Sequence, residues 1–285
     1  MKFEVTAELD YTVSRRSALI FSVHAQRNAA QAILAERFAV DPKIAFSEFT
    51  DEAGNRFVRL DTGAHKDFSL RYNASVDCEF EVRHAAGIAP TPVAALDDAT
   101  IPYLFPSRYC QSDRLGRLAW DLFGKIDKPH DTVRAIADWI HDNVEYARGS
   151  TDSTTSAYDT VTQRVGVCRD FAHLGIALCR ALNIPARYFT GYAYELDPPD
   201  FHACFECFIG GQWIVFDATR LAHLNGLVRI ASGRDAADTA VASVFGSVCC
   251  HHMKVACVLA DNQTFAPIPR RQLERRAITL PTGSD

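Results

Sequence analysis

Three short segments of this 285-residue sequence carry residue types that could act together on an acyl group. The first is Val165-Gly-Val-Cys168-Arg-Asp-Phe171. An apolar helical run begins here, so the Cys168 thiol sits at the mouth of a helix. Unpaired N–H groups and positive potential at that end favour a thiolate and can later hold an oxyanion. Gly166 reads as relaxing the turn into the helix. The helix end contributes only about 0.3–1 kcal/mol. An imidazolium about 4 Å away contributes roughly 4 kcal/mol at an effective dielectric near 20. A histidine partner therefore decides whether this cysteine is reactive.

The other two segments supply one. Phe201-His-Ala-Cys-Phe-Glu-Cys-Phe-Ile209 and Gln212-Trp-Ile-Val-Phe-Asp217 flank Gly210-Gly211, a two-residue hairpin turn. In that register Ile209 faces Gln212, Cys204 faces Asp217 and His202 faces Thr219. His202 and Asp217 then lie on one face as diagonal neighbours. Ala203, Phe205, Cys207 and Ile209 share the other face with Ile214, Phe216 and Ala218. That face is apolar and must be the core side. The hairpin presents an imidazole oriented by a carboxylate, which is the positioning a cysteine–histidine pair needs.

The elements that must hold these residues fall into two regions. Residues 1 to about 85 are β-rich. Lys2–Val13, Phe68–Val76 and Cys78–Val82 alternate, and Asp51-Glu-Ala-Gly-Asn55 turns between Ile44–Thr50 and Arg56–Leu60 as a hairpin. Short strands at this spacing suggest an antiparallel sandwich. Ala29–Phe38 reads as a short helix. Ala89-Pro-Thr-Pro92 with Asp97-Asp98 reads as a linker. Beyond it, Val133, Ile136, Ala137, Ile140 and Val144 place one helix over 131–146. Phe171, Leu174, Gly175, Leu178 and Leu182 place another over 168–182, stopped at Asn183-Ile-Pro185. Strand-like runs follow at 186–194, 202–209, 212–217 and 254–260. The division is 1–95 as a β-rich domain and 96–285 as an α+β unit with C-terminal strands.

Taken together, Cys168-Arg-Asp-Phe-Ala-His-Leu, Asn183-Ile-Pro-Ala-Arg-Tyr, Gly191-Tyr, His202-Ala and Phe216-Asp-Ala-Thr-Arg220 resemble the bacterial transglutaminase-like family, whose members are often described as candidate cysteine peptidases. Pro106–Arg114 and Trp139–Val144 also resemble segments of it, and the N-terminal strands resemble its β-rich N-terminal region. The resemblance implies a papain-like core, with a helix-borne cysteine packed on an antiparallel sheet that carries His and Asp. It makes Cys168 the nucleophile, His202 the general base and acid, and Asp217 the orienting carboxylate. Arg169, Asp170, Cys204 and Thr219 are placed as substrate-binding or supporting residues. The sequence departs from the family at Ala203-Cys204, where an aromatic is usual after the histidine. It departs again at Asp217-Ala-Thr-Arg220 in place of Asp-Pro-Thr-Arg. Arg169 follows Cys168 where eukaryotic transglutaminases have tryptophan. These departures concern the pocket lining and the acyl acceptor, not the triad.

Composition narrows the alternatives. Net charge is -5, from 30 basic and 35 acidic residues, so no overall field draws nucleic acid or anionic lipid. No apolar run approaches the roughly 18 residues of a membrane-spanning helix. Nine cysteines cannot all pair, and the N-terminus alternates instead of opening on a signal-peptide core, so the expectation is a reducing cytoplasm with free thiols. Zinc is the main rival: His202-x-Cys204-x-x-Cys207 could pair with Cys249-Cys-His-His252. Strand alternation opposes it by turning Cys204 and Cys207 to opposite faces. No metal and no cofactor is expected, and there is no calcium-loop pattern. Cys78, Cys110, Cys179, Cys207 and Cys257 read as core packing, and His173 as a structural histidine. Cys249 and Cys250 have no assigned role.

The expected function is acyl transfer from an amide through a thioester. Peptide or amide hydrolysis comes first. Transamidation or an N-acetyltransferase-like transfer is the same-class alternative, and a non-catalytic binding scaffold the other. The substrate expected is a peptide or protein amide. At neutral pH, iodoacetamide should modify Cys168 before Cys78 or Cys110, as followed by peptide mass spectrometry. Equal rates would defeat the assignment of Cys168 as the activated thiol.

Overall fold

The computed structural model describes residues 1–260 and 263–281. In chain order the elements are β1 (Lys2–Phe21), β2 (Gln31–Asp41), β3 (Phe46–Thr50), β4 (Arg56–Asp61), β5 (Asp67–Cys78), β6 (Glu81–His84), α1 (Ser112–Phe123), α2 (Pro129–Asn143), β7 (Glu145–Tyr146), α3 (Ala157–Gln163), β8 (Val165–Gly166), α4 (Cys168–Ala181), β9 (Ala186–Ala193), β10 (His202–Ile209), β11 (Gln212–Phe216), β12 (Leu227–Gly233), β13 (Ala242–Leu259), α5 (Arg270–Leu273) and β14 (Arg276–Thr279). The fold is α+β, as the sequence implies, with α1, β7, α3, β8, β12, α5 and β14 added to the elements read from it.

The first sheet runs β2-β5-β1-β4-β3, with β13 lying along β1. Strict alternation in β1 buries Phe3, Val5, Ala7, Leu9, Tyr11 and Val13 on one side. The hairpin of β3 and β4 forms in the expected place, pairing Phe46 with Leu60 and Thr50 with Arg56. The helix expected over Ala29–Phe38 is instead the strand β2, paired with β5 from Gln31 to Asp41. The Ala-rich run has helix propensity, but the long open edge of β5 supplies backbone partners along its whole length and overrides it.

The second sheet is antiparallel, in the order β12-β9-β10-β11-β14-β6. One face, with Ala203, Phe205, Cys207, Ile209, Ile214, Phe216 and Ala218, packs on α4 and α2. Tyr192 and Val228 lie further along that same face and join the core of the first sheet. Gly175 lets α4 lie directly on β10, because a Cβ there would come within 2.6 Å of the Phe205 ring. The sheets exchange strands across the linker: β6, from before residue 95, closes the second sheet, and β13, from after it, covers β1 in the first.

A fully buried ion cluster stiffens the second sheet. Glu206 on β10 accepts hydrogen bonds from Arg187 Nε at 2.7 Å and from both terminal nitrogens of Arg229, at 2.8 and 2.6 Å. Burial pushes the Glu206 carboxyl up, but the two guanidiniums overcome it and bring it down to about 2. Removing the shared carboxylate strands two buried cations, which costs about 3–5 kcal/mol. The variant Glu206→Ala should therefore lose about that much stability in urea unfolding, whereas exposed Glu52→Ala should change it by less than about 0.5 kcal/mol.

Candidate active site

Cys168 is the first residue of α4, and its start is built by Asp170. The Asp170 carboxylate is fully buried. Its Oδ2 accepts the Val167 N–H at 2.9 Å and the Thr151 hydroxyl at 2.6 Å. Its Oδ1 accepts Arg169 Nε and a terminal Arg169 nitrogen, at 3.1 and 3.0 Å. Arg169 goes on to donate to the Asp152 carbonyl at 2.7 Å. Both residues thus tie the helix start to the 151–152 loop. A carboxylate at this third helical position also matches the dipole. Gly166 has a different reason from the one expected: its φ is not in the left-handed region. It lies in β8, and a Cβ there would approach the Asp170 Cβ to 2.8 Å. Glycine is needed for close approach, not for turning.

The hairpin takes the expected register, from Ile209↔Gln212 to Phe205↔Phe216. Asp217 follows directly on the end of this ladder, a carboxylate oxygen within 4.8 Å of the Cys204 sulfur. His202 Nε2 lies 3.0 Å from Asp217 Oδ2. An ionised carboxylate only accepts, so Nε2 carries the proton and Nδ1 is left for a second partner. Asp217 is itself held on a tight turn. Its Oδ1 accepts the Thr219 N–H at 2.8 Å and hydroxyl at 2.7 Å, and its Oδ2 accepts the Ala222 N–H at 3.2 Å. Thr219 is thus the residue that orients the orienter.

Burial alone would push His202 down. Asp217, the neighbouring Cys204 thiol, and hydrogen bonds to Asp217 and Cys168 reverse that and hold the imidazole well above its ordinary 6.5. Asp217 is pulled below its ordinary 3.8 by His202 and Thr219 against the effect of burial. Cys168 faces the imidazole from the first turn of α4.

Cys204 shares the His202 face, as expected. It is buried, and its thiol is pushed up to about 12, first by burial. Cys207 points to the opposite face, its Sγ 3.6 Å from that of Cys179. Cys249 to His252 lie far off on β13, exposed along β1. The two zinc half-sites therefore do not meet. His173 is buried and accepts the Ala236 N–H at 3.1 Å while stacking on Tyr109, a structural role.

Three residues of the site were not read from the sequence. Tyr146, Arg148 and Asp200 line a cavity of about 250 Å³ whose wall includes His202, Phe201 and Leu221. Tyr146 arrives through β7, which pairs in parallel with β8 so that Tyr146 stands beside Gly166. The Cys168 backbone N–H is turned toward the Tyr146 hydroxyl. Arg148 donates to Asp200 at 3.3 Å. The signal for Tyr146 is the break in the helical stripe after Val144. Asp200 stands directly before the Phe201-His202 segment.

This geometry fits what the chain resembles. The transglutaminase-like superfamily profile matches residues 117–218, and the bacterial transglutaminase N-terminal domain matches residues 1–99. A crystal structure from Cytophaga hutchinsonii, of a protein provisionally assigned as a cysteine protease, superposes with a TM-score of 0.96 at 53% identity. That match covers 99% of this chain and 98% of the other. The chain belongs to the transglutaminase-like superfamily. An uncharacterized protein of Mycobacterium leprae is 25% identical over 224 residues, 75% of this chain and 80% of its own length. A protein of Mycobacterium tuberculosis, also uncharacterized, matches at 39% over 69 residues, 24% of this chain and 22% of its own length.

The two shifts set a pH window. A raised histidine contributes stability that is complete below about 6.5 and fades as pH rises through its folded value. A lowered carboxylate contributes stability that is present above about 3.8 and fades as pH falls through its folded value. The pair is therefore strongest between them. In an NMR titration, His202 should titrate above 6.5, and Asp217→Asn should lower it, since the largest influence opposing burial is then gone. A wild-type His202 titrating at or below 6.5 would show that the carboxylate does not outweigh burial.

Proposed function

We propose that this chain is a cysteine-dependent hydrolase of peptide or protein amides. The reading rests chiefly on one observation: a buried His202–Asp217 pair, 3.0 Å apart, facing a cysteine at the first position of a helix. In this mechanism His202 Nδ1 takes the Cys168 thiol proton, the sulfur attacks the amide carbonyl and a C–S bond forms. The carbonyl oxygen becomes an oxyanion between the Cys168 N–H and the Tyr146 hydroxyl, the second donor. His202 gives its Nδ1 proton to the leaving nitrogen as the C–N bond breaks. Water then attacks the thioester with His202 as base, and the C–S bond breaks to release the acid and restore the thiol.

The same thioester can be taken by an amine. Hydrolysis is favoured because the Cytophaga hutchinsonii relative, alike over its whole length, is provisionally assigned as a protease. The 250 Å³ cleft offers Leu196, Pro198, Phe201 and Leu221 as apolar contacts beside Asp200 and Arg148. This suits a peptide segment rather than a nucleic acid or lipid. The described cysteines are unpaired, and Cys249 and Cys250 are exposed neighbours, which supports a reducing compartment such as the cytoplasm. No described helix is long and apolar enough to cross a membrane.

Incubation with a peptide pool, with and without added amine, should yield shortened peptides by mass spectrometry. Cys168→Ala should abolish them, and Tyr146→Phe should lower kcat by about 10²–10³, the scale of one oxyanion donor. Amine-tagged, uncut peptides would select transamidation instead. Products unchanged in Cys168→Ala would end the thiol mechanism.

A further inference from the structure

Cys204 has no task in this mechanism, yet it is a buried thiol directly beside the dyad. Donor atoms of His202, Cys204 and Asp217 all lie within 4.8 Å of one another. We propose that these three residues form an inhibitory site for a zinc ion, with the fourth corner left to water. Imidazole, thiolate and carboxylate are the ligand types that zinc selects, at about 2.0–2.3 Å in a tetrahedron. Such a tetrahedron separates its donors by about 3.3–3.8 Å. The His202 and Asp217 atoms are now 3.0 Å apart, so they open by a few tenths of an ångström while the Cys204 sulfur closes in.

The backbone makes the set rigid. His202 and Cys204 are two apart on β10 and share a face, and Asp217 follows directly on the end of β11. A path in exists, because His202 borders the 250 Å³ cleft and the Asp197 and Asp200 side chains line it. Arg148 offsets part of that negative charge through Asp200. Zinc in this position replaces the imidazole–carboxylate hydrogen bond, so His202 no longer activates Cys168. The loss of turnover rests on the hydrolase reading; the binding does not.

The test uses full-length protein carrying Cys249→Ser and Cys250→Ser, so that the exposed thiols add no background, freed of metal with EDTA. Equilibrium dialysis against ZnCl2 should find one zinc ion per chain. ZnCl2, but not MgCl2, should slow the labelling of Cys168 by iodoacetamide, because His202 no longer activates the thiol, and EDTA should restore it. Cys204→Ala should weaken both effects by about tenfold or more, at least what loss of a ligand's supporting partner costs. Circular dichroism and a melting curve check that the variant is folded. If it is not, cobalt(II) added to the parent protein still decides, through a Cys204 thiolate-to-metal absorption band that persists after alkylation of Cys168. Equal zinc affinity in folded Cys204→Ala, or no cobalt–thiolate band in the parent, would overturn the site. Zinc binding intact in a protein that cleaves no amide would overturn the hydrolase reading and leave this one standing.

Discussion

The site depends on the register of one hairpin. Gly210 and Gly211 adopt φ of 62° and 80°, the left-handed values a two-residue turn requires at both positions and glycine supplies without steric cost. That turn pairs Ile209 with Gln212, and every later pair follows. A slip of one residue would turn His202, Cys204 and Glu206 into the apolar layer under α4. It would also expose Phe205 and Cys207 and separate Glu206 from Arg187 and Arg229. Two energies guard the register at once: burial of the Phe205–Phe216 face, and the buried ion cluster on the other. The catalytic pair sits at the open end of the ladder, where the register is already determined.

Side chains that obey a local period were legible in the sequence for that reason. The alternation of β1, the β3–β4 turn, the stripe of α4 and the two faces of β10 all follow from spacing alone. His202 and Asp217 could be placed on one face because strand geometry has a period of two. The helix over Ala29–Phe38 failed because its local propensity is weak and β5 offers a full row of backbone partners. The exchange of β6 and β13 between sheets has no local signature at all, since it is decided by which edge is left open.

The rest of the site is carried by loops and by contacts between distant segments. Tyr146 reaches Cys168 only because two-residue strands, β7 and β8, pair in parallel. Gly166 was rightly singled out but for the wrong cause, because a clash with Asp170 three residues into a helix is a property of packing and not of the turn. Arg169 and Asp170 read from the sequence as either substrate-binding or supporting residues. Their hydrogen bonds run to Val167, Thr151 and Asp152, so they fix where the helix begins and therefore where the thiol stands.

That placement matters because the electrostatics of the site are strongly opposed. Burial disfavours charge on both His202 and Asp217, and only their mutual approach makes the charged pair stable. An isolated buried carboxylate would not survive so near an apolar layer. Thr219 and Ala222 resolve this by giving Asp217 three further donors, so it stays ionised and stationary whether or not the imidazole is charged. The imidazole can then exchange a proton with sulfur and substrate while its partner holds still, which is what a general base that must also serve as general acid requires. The turn Asp217-Ala-Thr-Arg220 thus does its work without the proline usual in its relatives, because side-chain hydrogen bonds replace the rigidity a ring would give.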